Sequence, residues 1–180
     1  MDLACFESLP IIGIIRSSSP EQVEGAVEAA LSAGLQHIEI TLNTPSALEL
    51  IKTIKSRNFP GLTLGAGTVL SRQEAISAIE AGAEFIVSPI ADQAMIAYCR
   101  HKSTPVFPGA LTPAEIQQAW TSGANMVKVF PSASLGGAQY FKYLKGPFAE
   151  IKLLACGGVT PENMAEYFTA GASAIAIGNS

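Results

Sequence analysis

The chain has 180 residues, 48% of them hydrophobic and 14% charged, which is enough apolar material for one domain with a sizeable core. A formal net charge of -4 with no basic cluster argues against nucleic acid or an anionic membrane surface as the main partner. Cys5, Cys99 and Cys156 are odd in number and lack CxxC or metal-type spacing, and His37 and His101 lie far apart in sequence, so neither a disulfide framework nor a metal site is expected. Met1-Asp2-Leu3 lacks the positively charged start of a secretory signal and no apolar run is long enough to span a bilayer, so a cytoplasmic protein is expected.

In chain order, short apolar strands alternate with amphipathic helices. Ile11–Ile15 reads as the first strand, and Ser19-Pro20-Glu21 starts a helix with serine as cap and proline in the first turn, ending near Ala33-Gly34. His37–Thr41 is the second strand and Thr44-Pro45 opens the second helix. Leu62–Leu64 is the third strand, Ser71–Ala81 the third helix, Phe85–Val87 the fourth strand, and Asp92–Arg100 a weaker helix. Thr104–Phe107 is the fifth strand, and Thr112-Pro113-Ala114-Glu115 has the form of a capping box. The sixth strand, Asn125–Phe130, carries a lysine between valines. A helix over Gly137–Lys145, a strand over Ile151–Ala155, a helix start at Thr160-Pro161 and a strand over Ala174–Ile177 complete the series.

Ala33-Gly34-Leu35, Ala81-Gly82-Ala83, Ser122-Gly123-Ala124 and Ala170-Gly171-Ala172 each end a helix and lead within a few residues into a strand, as a glycine-capped helix C-terminus does. Eight strand–helix units with connections this short predict parallel pairing and a TIM (β/α)8 barrel over residues 1–180 as a single domain. An open doubly wound sheet is the alternative, weakened because no GxGxxG follows the first strand.

A barrel makes the lysine strand informative. Strand residues alternate in direction, so Ile38 and Ile40 face the helices and Glu39 the interior, while Val127 and Val129 face the helices and Lys128 the interior. A buried ammonium is costly unless it is paired or loses its proton, and a neutral lysine amine attacks carbonyls to form Schiff bases. Geometry alone leaves Glu39 and Lys128 equally well explained as a buried ion pair.

Ile15-Arg16, Ile-Glu-Ile-Thr at 38–41, Gly-Ala-Gly-Thr-Val at 65–69, Ile-Val-Ser-Pro at 86–89, Pro-Gly-Ala-Leu-Thr-Pro at 108–113, Val-Lys-Val-Phe-Pro at 127–131 and Gly-Gly-Val at 157–159 give the chain a wider likeness. In order and spacing they resemble the 2-keto-3-deoxy-6-phosphogluconate (KDPG) and 4-hydroxy-2-oxoglutarate (KHG) aldolase family, over nearly the whole length. The resemblance implies a class I aldolase with no cofactor, working through a covalent imine on Lys128 with Glu39 as general acid/base. It implies that Arg16 and Thr68 hold the pyruvate carboxylate and that Phe130 packs on the pyruvyl unit. The implied reaction cleaves KDPG to pyruvate and D-glyceraldehyde 3-phosphate, or 4-hydroxy-2-oxoglutarate to pyruvate and glyoxylate.

For the phosphate, the resemblance points to the loops that carry Cys156-Gly157-Gly158 and Gly178-Asn179, where glycines permit close backbone approach. Cys156 stands where the family commonly has threonine, Asn179 where it has serine, and Asn43 where some gluconate enzymes have arginine. The sequence as given stops at Ser180, before the last helix of the family's barrel. The alternatives are a 2-keto-3-deoxy-6-phosphogalactonate aldolase, a phosphate-binding isomerase or epimerase using Glu39 and Lys128 without an imine, and a barrel that only binds a ligand. Family members are usually trimers, so a homotrimer is expected.

Overall fold

The computed structural model describes residues 1–178. Its parallel strands are β1 (Ile11–Ile15), β2 (His37–Thr41), β3 (Thr63–Gly67), β4 (Ile86–Val87), β5 (Val106–Phe107), β6 (Gly109–Ala110), β7 (Val127–Val129), β8 (Leu153–Cys156) and β9 (Ala174–Gly178). They form one sheet in the order β5-β4-β3-β2-β1-β9-β8-β7-β6. Its two ends, β5 and β6, are consecutive in the chain and separated only by Pro108, so the sheet curls into a nearly closed barrel of the TIM type.

The expected fifth strand, Thr104–Phe107, is present as β5, and β6 beyond Pro108 is a strand that the sequence does not predict. Proline donates no ladder hydrogen bond, and at Pro108 the segment changes partners. Its first half pairs with β4 (Ile86↔Val106) and its second half with the lysine strand (Gly109↔Lys128). The change brings Gly109 so close to the Pro89 backbone that a Cβ would not fit.

The helices are α1 (Leu3–Ser8), α2 (Val23–Ser32), α3 (Ala47–Ser56), α4 (Arg72–Glu80), α5 (Gln93–His101), α6 (Pro113–Thr121), α7 (Ala138–Lys145) and α8 (Met164–Thr169). No described helix is long and apolar enough to cross a membrane. The capping box forms as the sequence predicts: Glu115 N–H donates to Thr112 Oγ1 at 3.4 Å and Thr112 N–H to Glu115 Oε2 at 2.8 Å. Ser71 and Asp92 cap α4 and α5 by accepting from Glu74 N–H and Met95 N–H.

Three helix starts differ from expectation. Ser19 makes no side-chain cap bond and Pro20–Gln22 form a 3-10 turn ahead of α2. Helix α3 begins at Ala47, because Thr44 is buried against Thr41 (Oγ1 to Oγ1, 3.3 Å). Helix α8 begins at Met164, because Asn163 Oδ1 accepts the Thr160 N–H at 2.8 Å and holds the intervening residues in a turn.

The predicted parity holds. Ile38, Ile40, Leu64 and Ile86 pack outward against one set of helices, and Val127, Val129, Leu153 and Ile175 against the other. The barrel interior is filled by Ile12, Phe85, Phe107, Met126 and Leu154, closed at the N-terminal end of the strands by Phe6 of α1. Helix α1 has no counterpart among the elements that the sequence predicts; its N-cap is Asp2, which accepts from Ala4 N–H at 2.9 Å, and Phe6 is its one buried residue.

Candidate active site

Glu39 is the middle residue of β2, paired with Ile14 of β1 and Gly65 of β3, and only 1% of it reaches solvent. Its Oε2 has no hydrogen-bond partner. Burial pushes the carboxyl above the usual carboxylate range, and the charges of Lys128 and then Arg16 pull it part of the way back. The carboxyl fits because Gly67, one strand over, has no side chain: a Cβ there would collide with Glu39 Oε1 and Cδ. The glycine lies within the Gly65–Val69 motif, although nothing in its local sequence announces the contact.

Lys128 lies across the interior on β7, paired with Gly109 and Leu154, and is 5% exposed. Its Nζ stands 5.0 Å from the centroid of the Phe130 ring, a cation–π distance. Phe130 is more open, so the amine lies between a buried acid and a ring that reaches the mouth of the barrel.

Arg16 and Thr68 enter from the ends of β1 and β3. Thr68 holds φ 56, a left-handed conformation that costs a β-branched residue on the order of 1–3 kcal/mol. The turn presents its Oγ1 to Arg16 Nη2 at 3.4 Å, two donors suited to a carboxylate. Thr44 ties the same corner together, its Oγ1 accepting the Ser17 N–H at 3.3 Å.

Cys156, at the end of β8, is buried beside this cluster; burial is the largest influence on its thiol and raises it, against the nearby Lys128 charge. A thiol held protonated is a poor nucleophile and a small filler beside the lysine. Gly157 and Gly158 follow with φ 86 and φ 85, conformations that glycine alone adopts at little cost. Gly158 is exposed and Gly178 ends β9 beside Ile14, 2.7 Å from where a Gly178 Cβ would lie. A cleft of about 520 Å³ opens from Arg16 past Gln22, Val159 and Thr160 to Gly178. Asn43 lies exposed in the turn after β2, and Asn179 lies outside the described residues.

The structure thus places Arg16, Thr68, Phe130 and Cys156 at the C-terminal strand ends with Lys128 and Glu39 inside the barrel, and the Gly157–Gly158 loop follows β8; of these residues only Arg16 lines the cleft that reaches Gly178. That end of the barrel is where (β/α)8 enzymes carry their sites, and an amine and a carboxyl group held out of water set the class of chemistry as acid–base and imine work on a carbonyl. The family model for KDPG and KHG aldolase matches residues 4–180. The 2-dehydro-3-deoxy-phosphogluconate aldolase of Treponema pallidum is 34% identical over 168 residues, which are 92% of this chain and 80% of that protein. The 2-dehydro-3-deoxy-6-phosphogalactonate aldolase of Escherichia coli K12 is also 34% identical, over 95% of this chain and 83% of that one. The KDPG aldolase of Legionella pneumophila, solved with pyruvate captured as a covalent carbinolamine, superposes with a TM-score of 0.86 at 28% identity, covering 94% of this chain and 82% of that one.

The chain belongs to the KDPG and KHG aldolase family. It is an aldolase, a carbon–carbon lyase on a TIM-like barrel.

Proposed function

We propose that the protein cleaves a phosphorylated 2-keto-3-deoxy sugar acid to pyruvate and glyceraldehyde 3-phosphate through an imine on Lys128. The observation that carries this is a buried lysine whose charge acts on a buried carboxyl with an unpartnered Oε2.

In this reading the unprotonated Lys128 amine adds to the C2 ketone and water leaves, giving an iminium. Glu39 takes the C4 hydroxyl proton as the C3–C4 bond breaks. The bonding pair flows into the iminium to form an enamine, and the aldehyde departs. Glu39 returns the proton to C3, and water adds to the iminium to release pyruvate and the free amine. Arg16 and Thr68 hold the carboxylate, Phe130 covers the lysine, and Gly157, Gly158 and Gly178 offer backbone to the phosphate.

The relatives act, by name, on both the gluconate and the galactonate substrate, and in this reading Cys156 and Asn43 help to choose between them. The small apolar surface of a protonated thiol at 156 suits either epimer. Leu48 in the first turn of α3, Leu70 after β3 and Ile90 after β4 are exposed apolar side chains, which supports contact between copies and a homotrimer.

The test is borohydride reduction with pyruvate, intact mass and peptide mapping, with Lys128→Ala as control. A pyruvyl adduct on Lys128 is expected, and none on Lys128→Ala. A folded wild-type protein that gains no adduct would overturn the imine. Cleavage rates on the gluconate and galactonate epimers then assign the substrate.

A further inference from the structure

The turn after the lysine strand contains a buried hydroxyl that the reaction does not use. Ser132 lies in a 3-10 turn (Ser132–Leu135) and is fully buried. Its Oγ donates to the Gly157 carbonyl at 2.8 Å and stands 3.2 Å from the Tyr167 hydroxyl of α8. Because the single Ser132 hydrogen is committed to the carbonyl, Tyr167 donates to Ser132. Ala133 N–H donates to the same Gly157 carbonyl at 3.0 Å, so both its lone pairs are engaged.

Two consecutive residues at φ 86 and φ 85 make a backbone that is loose by nature. The two bonds to the Gly157 carbonyl fix the plane of the Gly157–Gly158 peptide. In a trans peptide the N–H points opposite to the C=O, so the Gly158 N–H is turned away from the Ser132 turn, at an exposed position. Asn163 Nδ2 secures the next carbonyl, that of Gly158, at 2.9 Å. The carbonyls of the loop are thus tied back into the protein and its donor is turned outward.

We propose that Ser132 and Tyr167 are positioning residues, holding the Gly157–Gly158 backbone so that the Gly158 N–H receives the phosphate of the substrate. This rests on the reading of that loop as the phosphate end of the site. Tyr167 is itself rigidly placed, being 2% exposed and packed edge-on against Phe141 with centroids 5.4 Å apart, and its hydroxyl lies 3.4 Å from where a Gly137 Cβ would stand.

The test is an amide NMR titration of the wild type, Ser132→Ala and Tyr167→Phe with inorganic phosphate, following Gly158. Alongside it, KM and kcat are measured on a phosphorylated 2-keto-3-deoxy acid and on unphosphorylated 4-hydroxy-2-oxoglutarate. Each variant deletes one buried hydroxyl and keeps the surrounding packing. The Gly158 amide should shift and saturate with phosphate in the wild type. Phosphate affinity should weaken about five- to tenfold in Ser132→Ala, the effect of one neutral hydrogen bond, and less in Tyr167→Phe. KM for the phosphorylated substrate should rise by the same factor, with KM for the unphosphorylated one and both kcat values unchanged. Equal phosphate affinity in all three proteins, a Gly158 amide that phosphate does not move, or equal losses on both substrates would overturn the proposal. Failure of the wild type to trap pyruvate would overturn the imine reading instead, and the phosphate titration would still decide this one.

Discussion

The two ends of the barrel interior each receive a titratable side chain from the same strand. His37 and Glu39 are two residues apart on β2, both are 1% exposed, and each has a ring or carboxyl atom without a hydrogen-bond partner, His37 Nδ1 and Glu39 Oε2. Burial drives both toward neutrality, the histidine below its usual range and the glutamate above its own. Their neighbours differ. At the N-terminal end the His37 and Phe6 rings pack edge to face with centroids 4.9 Å apart, and Phe6 in turn stacks on Phe107 at 5.8 Å, while the N-terminal ammonium and Glu84 act on the imidazole with opposite signs. At the C-terminal end Glu39 lies within the fields of Lys128 and Arg16, under an open mouth. Strand parity chooses which residues point inward; what surrounds them decides whether a buried ionisable group does chemistry or fills space.

Removing one side chain at each end separates the two. Glu39→Gln should lower aldol cleavage by about 10²–10⁴-fold, the usual contribution of a general acid/base, while Lys128 still forms the borohydride-trapped pyruvate adduct. If cleavage survived at wild-type rate, Glu39 would be no more functional than His37. At the sealed end Phe6→Ala should cost about 3–5 kcal/mol of unfolding free energy in a denaturant titration and leave kcat close to wild type at temperatures where the variant is folded. A loss of kcat with stability intact would show that the plug is felt at the mouth.

The two groups also contribute to stability with opposite signs. His37 binds a proton less readily folded than unfolded, so the folded state loses stability as pH falls below the ordinary histidine value of 6.5 toward the lowered folded one. Glu39 holds its proton more tightly folded, so its contribution is full at low pH and is lost as pH rises from the ordinary carboxylate range through its raised value. His37→Leu should therefore flatten the mildly acidic side of a plot of unfolding free energy against pH and leave the Glu39 portion in place. An unchanged profile would mean that His37 binds its proton as readily in the folded protein as in the unfolded chain.

Much of the site was legible because its parts are local. The inward parity of Glu39 and Lys128 follows from the valines and isoleucines on either side, and the capping box at Thr112–Glu115 from four consecutive residues. The split at Pro108 had a local cause as well, since a proline inside a central strand cannot continue the ladder. What stayed hidden depends on residues far apart in sequence. Glu39 reaches its position only because Gly67 lacks a side chain, and Ser132 meets Tyr167 from 35 residues away. Helix α1 was hidden for another reason: six residues with one buried member carry no periodicity to detect. Thr44 misleads because Thr-Pro is a common helix start, whereas here the hydroxyl is spent on Thr41 and the Ser17 N–H.

The smallest expected effect tests how the mouth acts on its acid. Lys128 is the larger of the two cationic influences on Glu39, but removing it removes the reaction, so Arg16 is the usable probe. In the proposed mechanism free enzyme competent for cleavage needs Glu39 ionised, and kcat/KM should therefore fall as pH drops through the folded value of Glu39. The Arg16 charge holds that value down, and Arg16→Gln releases it upward, so the acid limb of the kcat/KM profile should move to higher pH. Arg16 is itself exposed, and solvent screens its charge, so the move should be smaller than burial alone produces in raising Glu39. The same variant loses the proposed carboxylate ligand, which should raise KM at every pH; that part of the change is uniform and leaves the position of the limb to report on Glu39 alone. A limb that stays in place, or moves to lower pH, would show that the guanidinium serves the substrate carboxylate and has no influence on the general base.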